Sequence, residues 1–245
     1  MTNKYMYFIA NWKMFGGLNS LNSLHKVVKF FKVFEKNKLI KIIYCPPNIL
    51  IRPMFKKLRN SKIEIGAQNC HENNNYGAFT GSVNSSMLKS VGAKYVIIGH
   101  SENRLSGESN KLINLKIKSA LKSGLKVIFC IGETLKEKRK RITKKVLSQQ
   151  IKQGLNKIKN KSNILIAYEP VWSIGTGLIP KSNELFDIVN FIKIKNSKNK
   201  ILYGGSVSPK NIKELKSLKN IDGFLIGGAS QNPKKFIDII KKTYN

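Results

Sequence analysis

Short apolar runs alternate with longer amphipathic segments along the whole chain. The runs are rich in Ile, Val, Phe and Tyr and show no regular alternation of apolar and polar residues. A continuous apolar run of this length is typical of a strand buried on both faces of a parallel sheet. The eight predicted strands are Tyr5–Ala10, Leu39–Tyr44, Lys62–Ala67, Tyr95–Gly99, Lys126–Ile131, Asn163–Tyr168, Lys200–Gly204 and Gly223–Gly227.

The segments between these runs have the spacing of helices that bury one face. In the first segment apolar residues recur every three or four positions, as at Leu24, Val27 and Phe31. Two later segments begin with a capping residue followed by proline, which suits the first turn of a helix. The predicted helices are Leu18–Phe34, Asn48–Leu58, Ser85–Val91, Ser109–Lys122, Glu137–Ile158, Ser182–Ile194, Ser208–Leu218 and Asn232–Lys242.

Eight strand–helix units follow one another without a linker-like break. Parallel strands need crossover connections, and eight such units close into a barrel of about 250 residues. The pattern therefore predicts an α/β protein with one domain over residues 1–245, a (β/α)8 barrel of eight parallel strands surrounded by helices. The alternative is an open doubly wound sheet, which predicts a GxGxxG motif after an early strand. No such motif occurs there.

The charge balance is strongly basic, with 45 Lys and Arg against 13 Asp and Glu and a net charge of +32. This excess admits a nucleic-acid-binding surface, attraction of an anionic substrate, or a compositional bias toward Lys, Asn and Ile. The basic residues are spread over the chain, and the densest run, Lys136–Arg141, lies in a helical stretch that suits a solvated face. Composition is the favoured interpretation.

Three cysteines, Cys45, Cys70 and Cys130, are too few for a disulfide framework in a chain of this length. Their odd number and the lack of a CxxC pair indicate reduced, buried thiols in a cytoplasmic protein. The longest apolar runs are far shorter than the ~20 residues of a membrane-spanning helix. The first 13 residues also lack the features of a signal peptide.

Polar residues follow several predicted strands at their carboxyl ends, where barrel enzymes place their chemistry. Asn11 and Lys13 follow the first strand, His100 the fourth and Glu169 the sixth. Taken singly, each has an ordinary explanation, such as a surface lysine or a hydrogen-bonded structural histidine. Their placement at the same end of separate strands predicts that they converge on one barrel mouth.

The last two predicted strands run into glycine-rich turns, which contain Ser206, Gly227 and Gly228. Backbone N–H groups in such turns approach an oxyanion closely because glycine has no Cβ. These turns predict a phosphate site at the same mouth, the alternative being plain turns. The loop Pro170–Gly177 has proline at one end and glycine at the other, which suits a stiff segment that moves on hinges. A buried loop or a short helical turn is the alternative there.

These residues lie in strings that resemble the triosephosphate isomerase family. The resemblance implies a single-domain TIM barrel, a homodimer, and neither cofactor nor metal. It implies that dihydroxyacetone phosphate and glyceraldehyde 3-phosphate are interconverted, in glycolysis and gluconeogenesis. The most specific string is Tyr168–Gly177. The strings cover nearly the whole chain in the family's order: Asn11–Met14, Gly66–Asn69, Gly77–Gly81, Ile97–Glu102, Cys130–Glu133, Ala167–Gly177, Tyr203–Val207 and Gly227–Ser230.

The resemblance also implies roles for individual residues. Glu169 is expected to be the base, His100 a neutral electrophile, Lys13 a fixed positive charge and Asn11 a neighbouring polar contact. Glu102 is expected close to the chemistry. A helical turn starting after His100 would aim backbone N–H groups at the ring and keep it neutral. The phosphate-binding positions implied are Gly175, Ser206, Gly227 and Gly228, under a mobile lid over residues 170–176.

Three positions depart from the family pattern. Asn103 stands where arginine is usual, Ser82 where glutamate is frequent, and Gln231 where leucine is usual. In the family the first two tend to pair across the dimer, and the loop Cys70–Phe79 reaches the partner, so that Thr80 supports the partner's Asn11 and Lys13. Loss of both charged partners costs less stability than loss of one, which would leave the other charge without a partner. Together with the repulsion between two copies that each carry +32, the departures predict a dimer that weakens at low ionic strength.

Two other functions fit parts of the sequence. A sugar-phosphate epimerase would share the barrel and the phosphate site, but His and Asp clusters with metal-ligand spacing are missing from the strand ends. A barrel that binds nucleic acid or another polyanion through its basic surface would bind with a steep salt dependence. No nucleic-acid motif favours it.

Overall fold

The computed structural model describes residues 5–35 and 39–244. Eight parallel strands close into a barrel in which each pairs with the next and β1 pairs with β8. This confirms the predicted architecture and excludes the open sheet. The strands are β1 (Met6–Asn11), β2 (Ile40–Cys45), β3 (Glu64–Ala67), β4 (Tyr95–Ile98), β5 (Lys126–Ile131), β6 (Ile164–Tyr168), β7 (Lys200–Tyr203) and β8 (Gly223–Ile226).

Helices connect the strands and surround the barrel. Short 3₁₀ helices at Leu18–Ser23, Val171–Ser173 and Gly228–Gln231 add to them. The α-helices are α1 (Leu24–Phe34), α2 (Asn48–Leu58), α3 (Ser85–Ser90), α4 (Ser101–Leu105), α5 (Asn110–Lys122), α6 (Leu135–Arg139), α7 (Thr143–Gly154), α8 (Ser182–Lys195), α9 (Ile212–Ser217) and α10 (Pro233–Tyr244). No helix in the described part of the chain is long and apolar enough to cross a membrane.

The strands are buried on both faces, as their continuous apolar sequences predict. Along β1, Ile9 belongs to a cluster inside the barrel, whereas Phe8 and Ala10 pack in the larger layer between strands and helices. Full burial of one such aliphatic side chain stabilises the fold by ~1.5–3 kcal/mol. Charged residues within the strands stand at or near their first residue, as at Glu64, Lys126 and Lys200, and the buried middle of each strand is apolar.

The prediction of one continuous helix over Glu137–Ile158 is wrong. The structure has two helices there, α6 and α7, and the chain turns between them at Arg141, whose φ is +56°. α6 starts earlier than predicted because Thr134 and Glu137 form a capping box. It buries no residue, in line with the solvated face predicted for its basic run.

Other predicted helices differ mainly at their starts. The segment from Leu18 begins as a 3₁₀ helix and becomes α1 only at Leu24. The segment from Ser208 is a turn until α9 starts at Ile212, because the Asn211 side chain accepts the Ser208 N–H at 2.9 Å and closes the turn. The start predicted at Asn232 is confirmed: its Oδ1 accepts the N–H groups of Lys234 and Lys235.

Candidate active site

A cavity of about 510 Å³ opens at the carboxyl ends of the strands. Eight of the nine predicted site residues line it together: Asn11, Lys13, His100, Glu169, Gly175, Ser206, Gly227 and Gly228. The ninth, Glu102, lines an adjoining cavity of about 300 Å³, which shares Asn11, Lys13 and His100 with the first. The convergence predicted from the strand ends is therefore present, with Glu102 behind the mouth.

Lys13 has a strained backbone, with φ of +54° at a residue that is not glycine. Side chains on both sides hold this conformation. The Lys13 N–H donates to Asn11 Oδ1 at 3.0 Å, and Gln68 Nε2 donates to the Lys13 carbonyl at 2.8 Å. At the other end of the side chain, Nζ lies 2.6 Å from Glu102 Oε1. The ammonium is thus fixed at the cavity wall.

His100 caps α4, and the Glu102 N–H donates to its Nδ1 at 3.3 Å. A ring nitrogen that accepts a backbone N–H carries no proton, so in the neutral ring the proton is on Nε2. Nε2 lies 3.5 Å from Glu169 Oε1. The helical turn predicted after His100 is therefore present, and its Glu102 amide faces the ring.

Glu169 is buried, with 2 % of its surface exposed. Burial raises the pKa of its carboxyl group, and the nearby Lys13 ammonium counteracts part of that rise. Its Oε2 is buried and has no hydrogen-bond partner in the described part of the chain. The side chain fits because Gly204 lies beside it: a Cβ there would come within 2.7 Å of Glu169 Cγ.

The glycine-rich turns line the cavity beside Lys13, and a Cβ at Gly227 would lie 3.6 Å from Lys13 Cε. The 3₁₀ helix Gly228–Gln231 starts at the cavity, and no atom lies within 4 Å of the position that a Gly228 Cβ would take. The Ser206 N–H donates to Ser173 Oγ at 3.3 Å. The open backbone at Gly228, next to a fixed ammonium, is suited to a phosphate.

The loop Pro170–Gly177 includes the short helical turn Val171–Ser173, the structural alternative considered for it. Trp172 Nε1 donates to Glu133 Oε1 at 2.9 Å, and Tyr168 OH donates to the same carboxylate. Burial raises the pKa of Glu133, against these hydrogen bonds, which lower it. The following residues, Gly175 to Gly177, are exposed, with φ of +73° at Gly175 and +80° at Gly177. The glycine end is exposed and is held to the anchored end by the Ser173 hydroxyl, which donates to the Leu178 carbonyl at 2.6 Å.

Three residues that shape the site were not singled out for a role from the sequence: Gln68, Arg104 and Glu133. Arg104 donates to the carbonyls of Gly99 at 2.7 Å and Cys130 at 3.0 Å, and so ties the ends of β4 and β5 together. Gln68 and Glu133 do follow predicted strands, and that position was the available signal. Arg104 lies inside a helix and gave none.

The three thiols are buried and free, as predicted. Burial raises the pKa of each thiol, to about 12 for Cys70, so they stay protonated at neutral pH. Among the described residues no group of three or more His, Cys, Asp or Glu side chains is arranged to hold a metal ion.

The fold and the cavity define a (β/α)8-barrel enzyme with a carboxylate, an imidazole and an ammonium at its mouth. Comparison with known proteins gives the family. The sequence model of the triosephosphate isomerase family matches residues 6–243 of this chain. The chain belongs to this family and is therefore an isomerase.

Individual relatives match this chain over nearly their whole length. The triosephosphate isomerase of Pelodictyon phaeoclathratiforme is 46 % identical over 95 % of this chain and 96 % of its own. That of Carboxydothermus hydrogenoformans is 42 % identical over 96 % and 97 %. The crystal structure of triosephosphate isomerase from Bartonella henselae superposes with a TM-score of 0.88 at 34 % identity, over 98 % of this chain and 99 % of that one.

Proposed function

We propose that the chain, as one barrel domain, interconverts dihydroxyacetone phosphate and D-glyceraldehyde 3-phosphate through an enediolate. The observation that carries the proposal is the buried Glu169 carboxylate, whose Oε2 has no hydrogen-bond partner among the described residues while Oε1 lies 3.5 Å from His100. A C–H group next to a carbonyl is a weak acid. A desolvated carboxylate with an unoccupied oxygen is a suitable base for it.

Neighbouring groups stabilise the charge that develops as the proton is transferred. Glu169 takes a proton from C1 of the ketone, the C–H electron pair becomes the C1=C2 double bond, and the carbonyl electrons move to the C2 oxygen. His100 Nε2–H and the Lys13 ammonium donate to that oxygen as its charge develops. A proton then moves from the C1 hydroxyl to the C2 oxygen through His100, and Glu169 returns its proton to C2. The aldehyde results without any cofactor.

Two further residues hold these groups in place. Glu102 lies 2.6 Å from Lys13 Nζ, and it contacts the ammonium from the adjoining cavity. Asn11 accepts the Lys13 N–H and supports its strained backbone. We propose that both position Lys13 and that Asn11 also faces the substrate from the cavity wall.

The phosphate of the substrate is proposed to bind the backbone at Ser206, Gly227 and Gly228. Residues 170–176 are proposed to close over it as a lid that brings Gly175 to the phosphate. Closure excludes water from the enediolate and keeps it from losing its phosphate. The exposed glycines of this segment and its anchored Trp172 support the proposal.

A homodimer is proposed on exposed apolar residues and on the cavity behind the mouth. Met14, Phe15 and Tyr76 are large apolar residues with 93 %, 57 % and 76 % of their surface exposed, and covering them removes an unfavourable apolar surface. The cavity behind the mouth lies next to Met14. In the proposed dimer the loop with Thr80 of a second copy enters this cavity.

A cytoplasmic location is proposed on the buried, free thiols, which suit a reducing compartment. The alternative of a polyanion-binding barrel is not supported by the comparisons, since the relatives described above are isomerases. Its only support is the net charge of +32.

The test is a coupled assay of triose-phosphate interconversion in both directions. We expect the native protein to be active and Glu169→Gln to lose several orders of magnitude in kcat. The matched control is Glu214→Gln, which removes an exposed carboxylate on α9. An inactive but folded native protein, or a Glu169→Gln variant as active as the control, would contradict the proposal.

A further inference from the structure

The cavity at the barrel mouth is larger than its proposed substrate requires. Cavities of roughly 300–1,000 Å³ enclose ligands much larger than a three-carbon phosphate, and this one measures about 510 Å³. Its wall includes Ser208, Pro209 and two lysines, Lys210 and Lys235.

Both lysines are attached to backbone segments held by side-chain hydrogen bonds. The Lys235 N–H donates to Asn232 Oδ1 at 3.2 Å, in the first turn of α10. The Lys210 N–H donates to Ser208 Oγ at 3.3 Å. The Asn211 amide donates to the Ser206 carbonyl at 3.0 Å, so the turn with Lys210 is tied to the proposed phosphate site. The backbone of both lysines is therefore held at one cavity wall, and their ammonium groups extend from it.

Neither ammonium has a carboxylate within ion-pair distance in the described part of the chain. This distinguishes the two lysines from Lys13, which pairs with Glu102, and from Lys138, which pairs with Glu184. Lys242 adds a third positive charge nearby, because its Nζ donates to the Pro209 carbonyl at 3.1 Å. This part of the cavity is a region of uncompensated positive charge.

We propose that Lys210 and Lys235 form an outer anion subsite next to the proposed phosphate site. It would take the second phosphoryl group of a diphosphate or of a compact bisphosphorylated compound whose first phosphoryl group binds the Ser206–Gly228 wall. Such a ligand gains charge-assisted hydrogen bonds that a monophosphate cannot make. It competes with the triose phosphate because the two share the inner position. The inference rests on the proposed function for that inner position only.

Calorimetric titration of the unliganded protein tests the subsite without any need for turnover. The probes are inorganic pyrophosphate and orthophosphate at one fixed ionic strength. We expect pyrophosphate to bind the native protein at least about tenfold more tightly than orthophosphate, since two more charge-assisted contacts form. The double variant Lys210→Gln/Lys235→Gln should lose most of this preference.

The matched control is Lys152→Gln. It removes the same charge from the last turn of α7, which lies at the opposite end of the barrel because the helices run antiparallel to the strands. The control should keep the native preference for pyrophosphate. A preference retained in the double variant, or lost equally in the control, overturns the subsite.

Displacement by dihydroxyacetone phosphate separates this inference from the proposed function. We expect the triose phosphate to displace pyrophosphate from the native protein. A lysine-dependent preference for pyrophosphate without displacement would place the subsite away from the triose site and overturn the shared inner position. Failure of the proposed function itself would show in the coupled assay as a lack of turnover, whatever the titrations give.

Discussion

At the scale of single residues, the buried charge of the site lowers the stability of the fold. Glu169 is buried and its pKa is raised, chiefly by desolvation. The folded protein therefore binds the Glu169 proton more tightly than the unfolded chain does, and stability falls as the pH rises through the raised pKa. At pH values below the ordinary pKa of glutamate, Glu169 is protonated in both the folded and the unfolded protein. Burial of its charge then no longer lowers the stability.

The variant Glu169→Gln carries no charge at this position at any pH. We expect its melting temperature, relative to that of the native protein, to rise between about pH 4 and about pH 8. The amide also changes the melting temperature by an amount that does not depend on pH. The informative quantity is therefore how the difference in melting temperature changes with pH. Thermal melts of both proteins across this range measure it. A difference that stays constant or falls with pH would show that the carboxylate is not destabilised by burial.

The sequence allowed prediction of the residues that end the strands but not of those that support them. Asn11, His100 and Glu169 follow apolar runs, so the fold alone brings them to one mouth. The support from Arg104 depends on where its guanidinium reaches, two carbonyls on two strands. Sequence spacing does not contain that information.

At the scale of elements, the loop Pro170–Gly177 is held at one end by a buried polar network. Trp172 and Tyr168 both donate to Glu133, and Lys138 Nζ lies 3.6 Å from the centre of the Trp172 ring. Lys138 also pairs with Glu184 of α8 at 2.9 Å. α6 therefore contacts the start of the loop and is paired with α8 through Lys138, whereas the glycine end of the loop is exposed.

Replacement of Trp172 by Phe keeps one aromatic ring and removes the pyrrole part of the indole with its N–H. We expect a loss of about 1–3 kcal/mol in the free energy of unfolding, because the buried Glu133 carboxylate keeps one donor fewer. Urea unfolding measures the loss. The control is the same substitution in a Glu133→Gln background, where the loss should be smaller. Equal losses in both backgrounds would rule out this hydrogen bond as the anchor of the loop.

Elements were predicted well where burial fixes them and poorly where it does not. The ranges of α2 and β5 agree with the predictions, because both carry apolar faces packed in the core. The predicted helix Glu137–Ile158 joined α6 and α7, since the exposed α6 has no apolar face to mark where it ends. Positive φ at Arg141 is a property of the backbone that its sequence does not signal.

At the scale of the whole molecule, the net charge of +32 acts on assembly. Two copies in the proposed dimer repel each other, and the repulsion extends ~30 Å at 0.01 M salt but only ~8 Å at 0.15 M. Asn103 and Ser82 are neutral, so no ion pair between these two positions opposes it.

We therefore expect the dimer to dissociate more readily at low ionic strength. Sedimentation velocity at about 0.01 M and about 0.15 M salt, over a range of protein concentrations, measures the dissociation constant. It should be higher at low salt. A dissociation constant that does not change with salt would remove the electrostatic part of this expectation.

The most direct test of the whole account is the origin of the transferred hydrogen. In heavy water, the proton that Glu169 takes from C1 exchanges with solvent before it returns. We predict that unlabelled dihydroxyacetone phosphate gives glyceraldehyde 3-phosphate with deuterium at C2, measured by NMR at early times. A Glu169→Gln variant should form labelled product several orders of magnitude more slowly. Labelled product formed as fast by this variant as by the native protein would contradict the role proposed for Glu169.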